Sequence, residues 1–196
     1  MEKNKKLNLI GRKVLLTEIK PQYFGEVVKW RNDGELNKFL NQPQELTVES
    51  EDAWYRQKYL QDDTQGFMIF VDKEKSIPFA TIGWTDMDKV NRCCILGRLI
   101  LGNPEYRNHP GFLEGFFLLS DYLYQFVDVM YIHLAGDNRK AYRLNKMLGF
   151  VPNQGEMQYP QEAVVNNINQ KEFLRTKDMY KEVRKKLYED LMDSLF

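Results

Sequence analysis

The chain has 196 residues, 43% of them hydrophobic and 13% aromatic, which is the length of one ordinary domain with apolar side chains enough for a sizeable core. Its 28 basic and 28 acidic side chains cancel, so no net field draws it to nucleic acid or to an anionic membrane, and a charged partner must be met by a local patch. No run approaches the roughly 18 apolar residues of a membrane span, and the opening MEKNKKLNLIGRK is charged without an apolar segment, so the expectation is a cytoplasmic chain with no secretion signal.

In chain order, RKVLLTEI (Arg12 to Ile19) alternates loosely as a first strand, and Pro21 stands where a helix can begin, carrying PQYFGEVVKWRND to Gly34. LTVESEDAWYRQKYLQDD offers Thr47 or Ser50 as N-cap and puts Ala53, Trp54, Tyr59 and Leu60 near one face, which predicts a second helix. The period then changes. FMIFV (Phe67 to Val71), IPFATIGWTDM (Ile77 to Met87) and RCCILGRLIL (Arg92 to Leu101) are joined by DKEKS and DKVN, polar connections of hairpin length, which predicts an antiparallel meander. Asp86 and Asp88 read as hairpin-turn carboxylates. Cys93 and Cys94 are vicinal in a strand-like run and point to opposite faces, so they read as free thiols in a reducing compartment.

After the meander, NPEYRNHPGFLEGF forms a loop leading into GFLEGFFLLSDYLYQF (Gly111 to Phe126), apolar on nearly every side and therefore a helix buried against the sheet. VMYIHLAG (Val129 to Gly136) is a further strand. DNRKAYRLNKMLGF follows as a helix with Asn138 as N-cap, Ala141, Leu144 and Leu148 on one face and Gly149 as its stop. A last strand is expected around Glu172 to Tyr180, before an amphipathic helix from about residue 181 to 195 that carries Met179, Val183, Leu187, Leu191 and Leu195 on one stripe. The expected class is α+β, a single mostly antiparallel sheet flanked by helices in one domain over residues 1–196.

That order of elements, with four short motifs, resembles the GNAT superfamily of acyl-coenzyme A N-acyltransferases over about residues 10 to 180. The branch most nearly resembled contains ribosomal-protein alanine, polyamine and nucleotide-sugar amine acetyltransferases. The motifs are VKWRND (Val28 to Asp33), ATIGW (Ala80 to Trp84), NPEYRNHPGFLEG, and DNRKAYRLNKMLGF, the last being the strongest. The resemblance implies acetyl-CoA as acyl donor, held by Leu101, Gly102, Arg107, Asn108, His109, Gly111, Phe112, Asn138 and Asn145. It also implies a small-molecule primary amine as acceptor, met by Trp30, Arg31 and Asn32, with direct attack of the amine on the thioester. The expected assembly is a monomer or homodimer.

In the loop, backbone amides of Asn108, His109, Gly111, Phe112 and Leu113 can form an anion nest at a helix start, with only Pro110 lacking a donor. Asn108 and Pro110 stand where the family has glycine, and Phe112 where it has glycine or alanine, so a plain strand-to-helix turn competes with a phosphate loop of altered shape. Asn145 replaces the tyrosine that protonates the leaving thiolate in many members, and Ile95 replaces a glutamate two residues ahead of Gly97, which leaves the acid and base unassigned. His133 alternates with Ile132 and Leu134 and is the candidate base, a buried structural histidine being the other reading. Trp30, Arg31 and Asn32 face substrate or serve as packing and a helix C-terminus. No metal-ligand spacing, partnered nucleophile or dinucleotide fingerprint occurs. An amino sugar nucleotide or other small polar amine is the expected acceptor, a protein N-terminus the alternative, and a non-catalytic CoA-binding or partner-binding scaffold the second alternative.

Overall fold

The computed structural model describes residues 7–40, 42, 44–158 and 170–194. Its elements run β1 (Asn8–Ile10), β2 (Val14–Glu18), α1 (Phe24–Asn32), α2 (Val48–Gln57), β3 (Gly66–Asp72), β4 (Pro78–Asp88) and β5 (Cys93–Leu101), then α3 (Pro110–Leu123), β6 (Val129–Ala135), α4 (Arg139–Met147), β7 (Val151–Pro152), β8 (Gln170–Thr176) and α5 (Lys177–Ser194). The strands form one sheet in the order β1-β2-β3-β4-β5-β6-β8-β7. Every neighbouring pair is antiparallel except β5 and β6, which run parallel across the crossover through α3. The expected α+β class and meander are both present.

Period-two alternation in β3 explains why its residues are buried on both sides. Met68 and Phe70 join Leu16, Ile82, Phe116 and Phe117 on the side covered by α3, while Phe67, Ile69 and Val71 join Phe24, Val27 and Tyr59 on the side covered by α1 and α2. Two helical layers therefore sandwich the sheet. Gly115 lets α3 approach it closely, since a Cβ there would lie 2.4 Å from Phe70. The Glu114 carboxylate, on the same helix, accepts the backbone N–H groups of Arg12, Lys13 and Val14 and so pins the β1–β2 turn to α3.

Several boundaries differ from the sequence reading. The first helix begins at Phe24, because Pro21–Tyr23 form a separate 3-10 turn. Thr47 caps α2 reciprocally with Ser50, but the helix stops at Gln57. Tyr59 and Leu60 lie in another 3-10 turn, where the Tyr59 hydroxyl reaches into the core, donates to Glu18 and accepts from the Phe67 amide. The last strand ends at Thr176 and α5 starts at Lys177, whose amide donates to the Asp128 carbonyl while the Thr176 hydroxyl accepts from the Met179 amide. Met179 and Tyr180 are thus helical. Leu195 lies outside the described residues.

Candidate functional site

The site begins with a fault in the β4–β5 ladder. Gly83 pairs with Gly97, and Thr81 pairs with Ile100, so two steps on β4 face three on β5. The surplus residue is a bulge, and Arg98 takes the left-handed conformation there, with φ 56°. The Thr81 hydroxyl donates to the Arg98 carbonyl at 2.6 Å and holds the bulge in place. Its guanidinium lies over the rings of Trp54 and Phe67 at 5.3 Å and donates to Gln65. Burial lowers the Arg98 pKa from its ordinary value.

The second feature is a split in the sheet. β5 pairs with β6 only from Cys93 to Ile95, opposite Val129 to Tyr131, although β5 continues to Leu101 and β6 to Ala135. Beyond that seam the facing edges carry backbone donors and acceptors without a ladder partner. A Cβ at Gly97 would meet nothing within 4 Å, so there is open space beside the split. Leu101 and Gly102 end its β5 edge, and a Cβ at Gly102 would lie 2.0 Å from the Trp30 ring. Trp30 is itself buried, which makes it the packing floor under Gly102.

The loop after β5 is satisfied from within. The Arg107 amide donates to Pro104, His109 to Tyr106, and Phe112 to His109. The His109 imidazole caps α3 by accepting the Gly111 amide at Nδ1, 3.2 Å away. Three of the amides expected to form an anion nest, those of His109, Gly111 and Phe112, are therefore engaged, while the Asn108 amide has no partner among the described residues. Phe112 turns inward and stacks on Phe70, so it does not cover the loop mouth. Arg107 and Asn108 are exposed there.

Asn138 caps α4 by accepting the Ala141 amide. Asn145 is buried, with its side-chain amide donating to the Ala141 carbonyl 2.9 Å away, so one of its two N–H donors is spent within its own helix. On β6, His133 faces Glu172 of β8 across the ladder, Nε2 to Oε2 3.0 Å, and the other Glu172 oxygen accepts from Asn153 and from the Gln158 amide.

Across the α1–α2 side, Asn32 binds Leu46 through both its amide atoms and accepts from Gln42, which shows it as the clamp of that loop. Arg31 is half-buried and donates to Gln42. A cavity of about 460 Å³ opens beside them, lined by Asn32, Asn37, Gln42, Gln44 and Glu45. Sequence reasoning missed two features. Glu51 of α2 is buried, with burial raising its carboxyl pKa against the pull of Arg31 and Arg98. Asp63, Asp86 and Asp88 line a second hollow of about 570 Å³ with Thr64, Met87, Lys89 and Gln158. The Gly66–Trp84 pairing brings the two aspartate-bearing turns together, a register that no motif announces. Asp88 does serve its hairpin, accepting the Val90 and Asn91 amides.

No family model and no curated protein sequence matches the chain. Among solved structures it superposes on an apo nucleotide-linked sugar GNAT, with TM-score 0.73 and 14% identity over 93% of this chain and 97% of that one. A GCN5-related N-acetyltransferase from Brucella melitensis gives TM-score 0.74 and 18% identity over 94% and 85%. The spermidine N-acetyltransferase of Vibrio cholerae in complex with CoA and spermine gives 0.71 and 15% over 87% and 99%. The split sheet, the bulge beside it and the helix that starts at the adjoining loop are thus arranged in the GNAT fold.

Proposed function

We propose that the chain is an acetyl-CoA dependent N-acetyltransferase acting on a primary amine, with an amino sugar nucleotide or similar small polar amine as acceptor. The split between β5 and β6 carries this reading. Its unpaired strand edge and the open space at Gly97 suit an extended chain bearing amides, which is what the pantetheine arm of coenzyme A is. The Vibrio cholerae structure of the same fold holds CoA. At the diphosphate end the chain offers the Arg107 side chain, the Asn108 amide and the start of α3, in place of a glycine-rich nest. Asn138 and Asn145 flank from α4, and Leu101 and Gly102 close the β5 edge.

When bound, acetyl-CoA supplies the thioester carbonyl carbon that a neutral amine attacks. The chain aligns the reactants, an effect of proximity, and its backbone donors at the bulge meet the developing oxyanion. His133 takes the proton released by the amine, its ring oriented by the buried Glu172 carboxylate 3.0 Å from its Nε2. The setting is cytoplasmic, and the working unit a monomer or homodimer.

A thermal-melt titration joined to a thiol-release assay tests the reading. Acetyl-CoA should raise the melting temperature, since a ligand at 100 times its Kd adds about 2.7 kcal/mol, and an amine panel should release free thiol. A chain that gives neither response overturns it. The engaged loop amides and Asn145 in place of an acid favour one other reading, a CoA-binding or partner-binding scaffold without turnover, which predicts a melting shift with no thiol release. Turnover with a ribosomal N-terminal peptide alone would move the acceptor to protein N-termini.

A further inference from the structure

The cavity beside Arg31 is framed by some polar groups and leaves others unused. Asn32, the last residue of α1, holds the frame, donating to the Leu46 carbonyl and accepting from the Leu46 amide and from Gln42. Gln42 is fixed in turn, its Oε1 accepting from Arg31 Nε at 3.1 Å. Asn37, Gln44 and Glu45 line the same cavity, and their side chains have no partner among the described residues. The two Nη groups of Arg31 are uncommitted as well; the Glu51 carboxylate attracts the guanidinium without bonding it. All of these groups can be reached, since Gln44 and Glu45 are exposed and Asn37 and Arg31 half-buried. The volume of about 460 Å³ falls within the roughly 300 to 1,000 Å³ of small-molecule sites. Its place matters too. Trp30 packs under Gly102 at the end of the β5 edge of the split, and Asn32 follows two residues on, about 3 Å along the helix axis, so the cavity opens beside the cleft on its α1 side.

We infer that this cavity is the acceptor's sugar-phosphate subsite, in which Asn37, Gln44 and Glu45 meet the hydroxyls of a sugar ring and the Arg31 fork meets its phosphate. The inference rests on the acceptor side of the proposed function and narrows it to a phosphorylated amino sugar, either a free sugar phosphate or a nucleotide-linked one. No aliphatic or aromatic side chain lines the cavity, so a methylene chain or an apolar ring gains nothing by leaving water for it. A hydroxyl both donates and accepts, as a carboxamide does, and a carboxylate accepts from two hydroxyls at once. The single carboxylate is too little charge for a polyamine. It also repels a phosphate, which leaves that group to the guanidinium, whose two Nη groups can bond a pair of phosphate oxygens in parallel.

The test titrates the full chain calorimetrically with glucosamine, glucosamine 1-phosphate, uridine diphosphate glucosamine and spermidine, with and without acetyl-CoA. Both phosphorylated sugars should bind at least about tenfold more tightly than glucosamine, and spermidine more weakly than any sugar. Arg31→Gln should bring the phosphorylated sugars down to the affinity of glucosamine. Asn37→Leu removes a side chain that bonds nothing in the fold and puts apolar bulk into the cavity, so it should weaken all three sugars about tenfold while leaving the acetyl-CoA melting shift unchanged. Equal affinity for the two phosphorylated sugars assigns the subsite to the free sugar phosphate, and a further gain for the nucleotide sugar assigns it to the linked form; both uphold it. Glucosamine and its phosphate bound equally, spermidine bound more tightly than the sugars, no binding of any probe, or an Asn37→Leu chain that binds as the parent does, each overturns it. Sugar-phosphate binding that is lost in Arg31→Gln, in a chain with no response to acetyl-CoA, upholds the subsite and removes the acetyl-transfer reading, whereas thiol release with spermidine alone does the reverse.

Discussion

Glu51 makes the stability of the chain depend on pH in a definite direction. Burial raises its carboxyl pKa more than Arg31 and Arg98 lower it, so the folded chain holds this proton more tightly than the unfolded one. Between the ordinary carboxylate range and the raised value the folded state binds more protons, and stability falls as pH rises through that window. The penalty is complete above it. Glu51→Gln removes the titration, so the variant should melt higher than the parent at neutral pH, with the gain fading towards about pH 4, where both states are protonated. Melting curves across pH check this, and a variant that melts lower at neutral pH would show that the charged carboxylate is net favoured. None of this was legible in TVESEDAW, where Glu51 is one acid among several and only the tertiary fold selects which is enclosed. Asn138 and Gly149 lie at the other extreme. A capping side chain and a glycine at φ 85° follow from local chemistry, and both stand where the sequence put them.

At the scale of elements, β8 and its neighbours are joined by one cation. Arg175 is fully buried, and its guanidinium donates to the Leu148 carbonyl, the Ser120 hydroxyl and the Tyr124 hydroxyl, with the Phe150 and Tyr180 rings 4.5 and 4.6 Å from its centre. It thereby ties α3, the end of α4, β8 and α5 to one another. Arg175→Met fills similar volume but strands the Leu148 carbonyl and the Ser120 hydroxyl, at about 1 to 3 kcal/mol for each buried group. Urea titration should record the sum as a lower midpoint with the slope retained, and a loss below about 1 kcal/mol would show that the partners find other donors. This hub also accounts for the misplaced end of the last strand. KEFLRTKDMYKEV alternates plausibly as far as Tyr180, but Tyr180 is needed on a helix to stack on Tyr124 and donate to Asp121, and neither partner is local in sequence. The helix-covered β3, in contrast, was legible because an unbroken apolar run bounded by polar turns fits a strand buried on both faces.

For the whole molecule, the order of elements was legible and its geometry was not. Hairpin-length connections and helix caps are local signals, so the meander and crossover could be read from them. The bulge at Arg98 could not, since an arginine at positive φ carries no mark in sequence and goes with a register shift that only the paired strands define. The phosphate loop was read by residue type, but the fate of its amides was decided by the His109 ring and by Tyr106, which stacks on Phe79 at 4.4 Å. The same splitting that opens a cleft limits the β5–β6 ladder to parallel pairing over Cys93, Cys94 and Ile95.

That narrow seam holds the vicinal cysteines of the chain. Both are buried, and enclosure pushes the Cys94 thiol up to about 12. Alkylating reagents attack the thiolate, so Cys94 is silent while the seam is closed and becomes reactive only when the two halves of the sheet part. The pair is a built-in clock for that separation. Iodoacetamide labelling followed by mass spectrometry should find Cys94 protected in native buffer, with a rate that stops rising with reagent concentration once parting becomes limiting. Rapid stoichiometric labelling of the native chain would instead mean that the seam opens freely in the folded state.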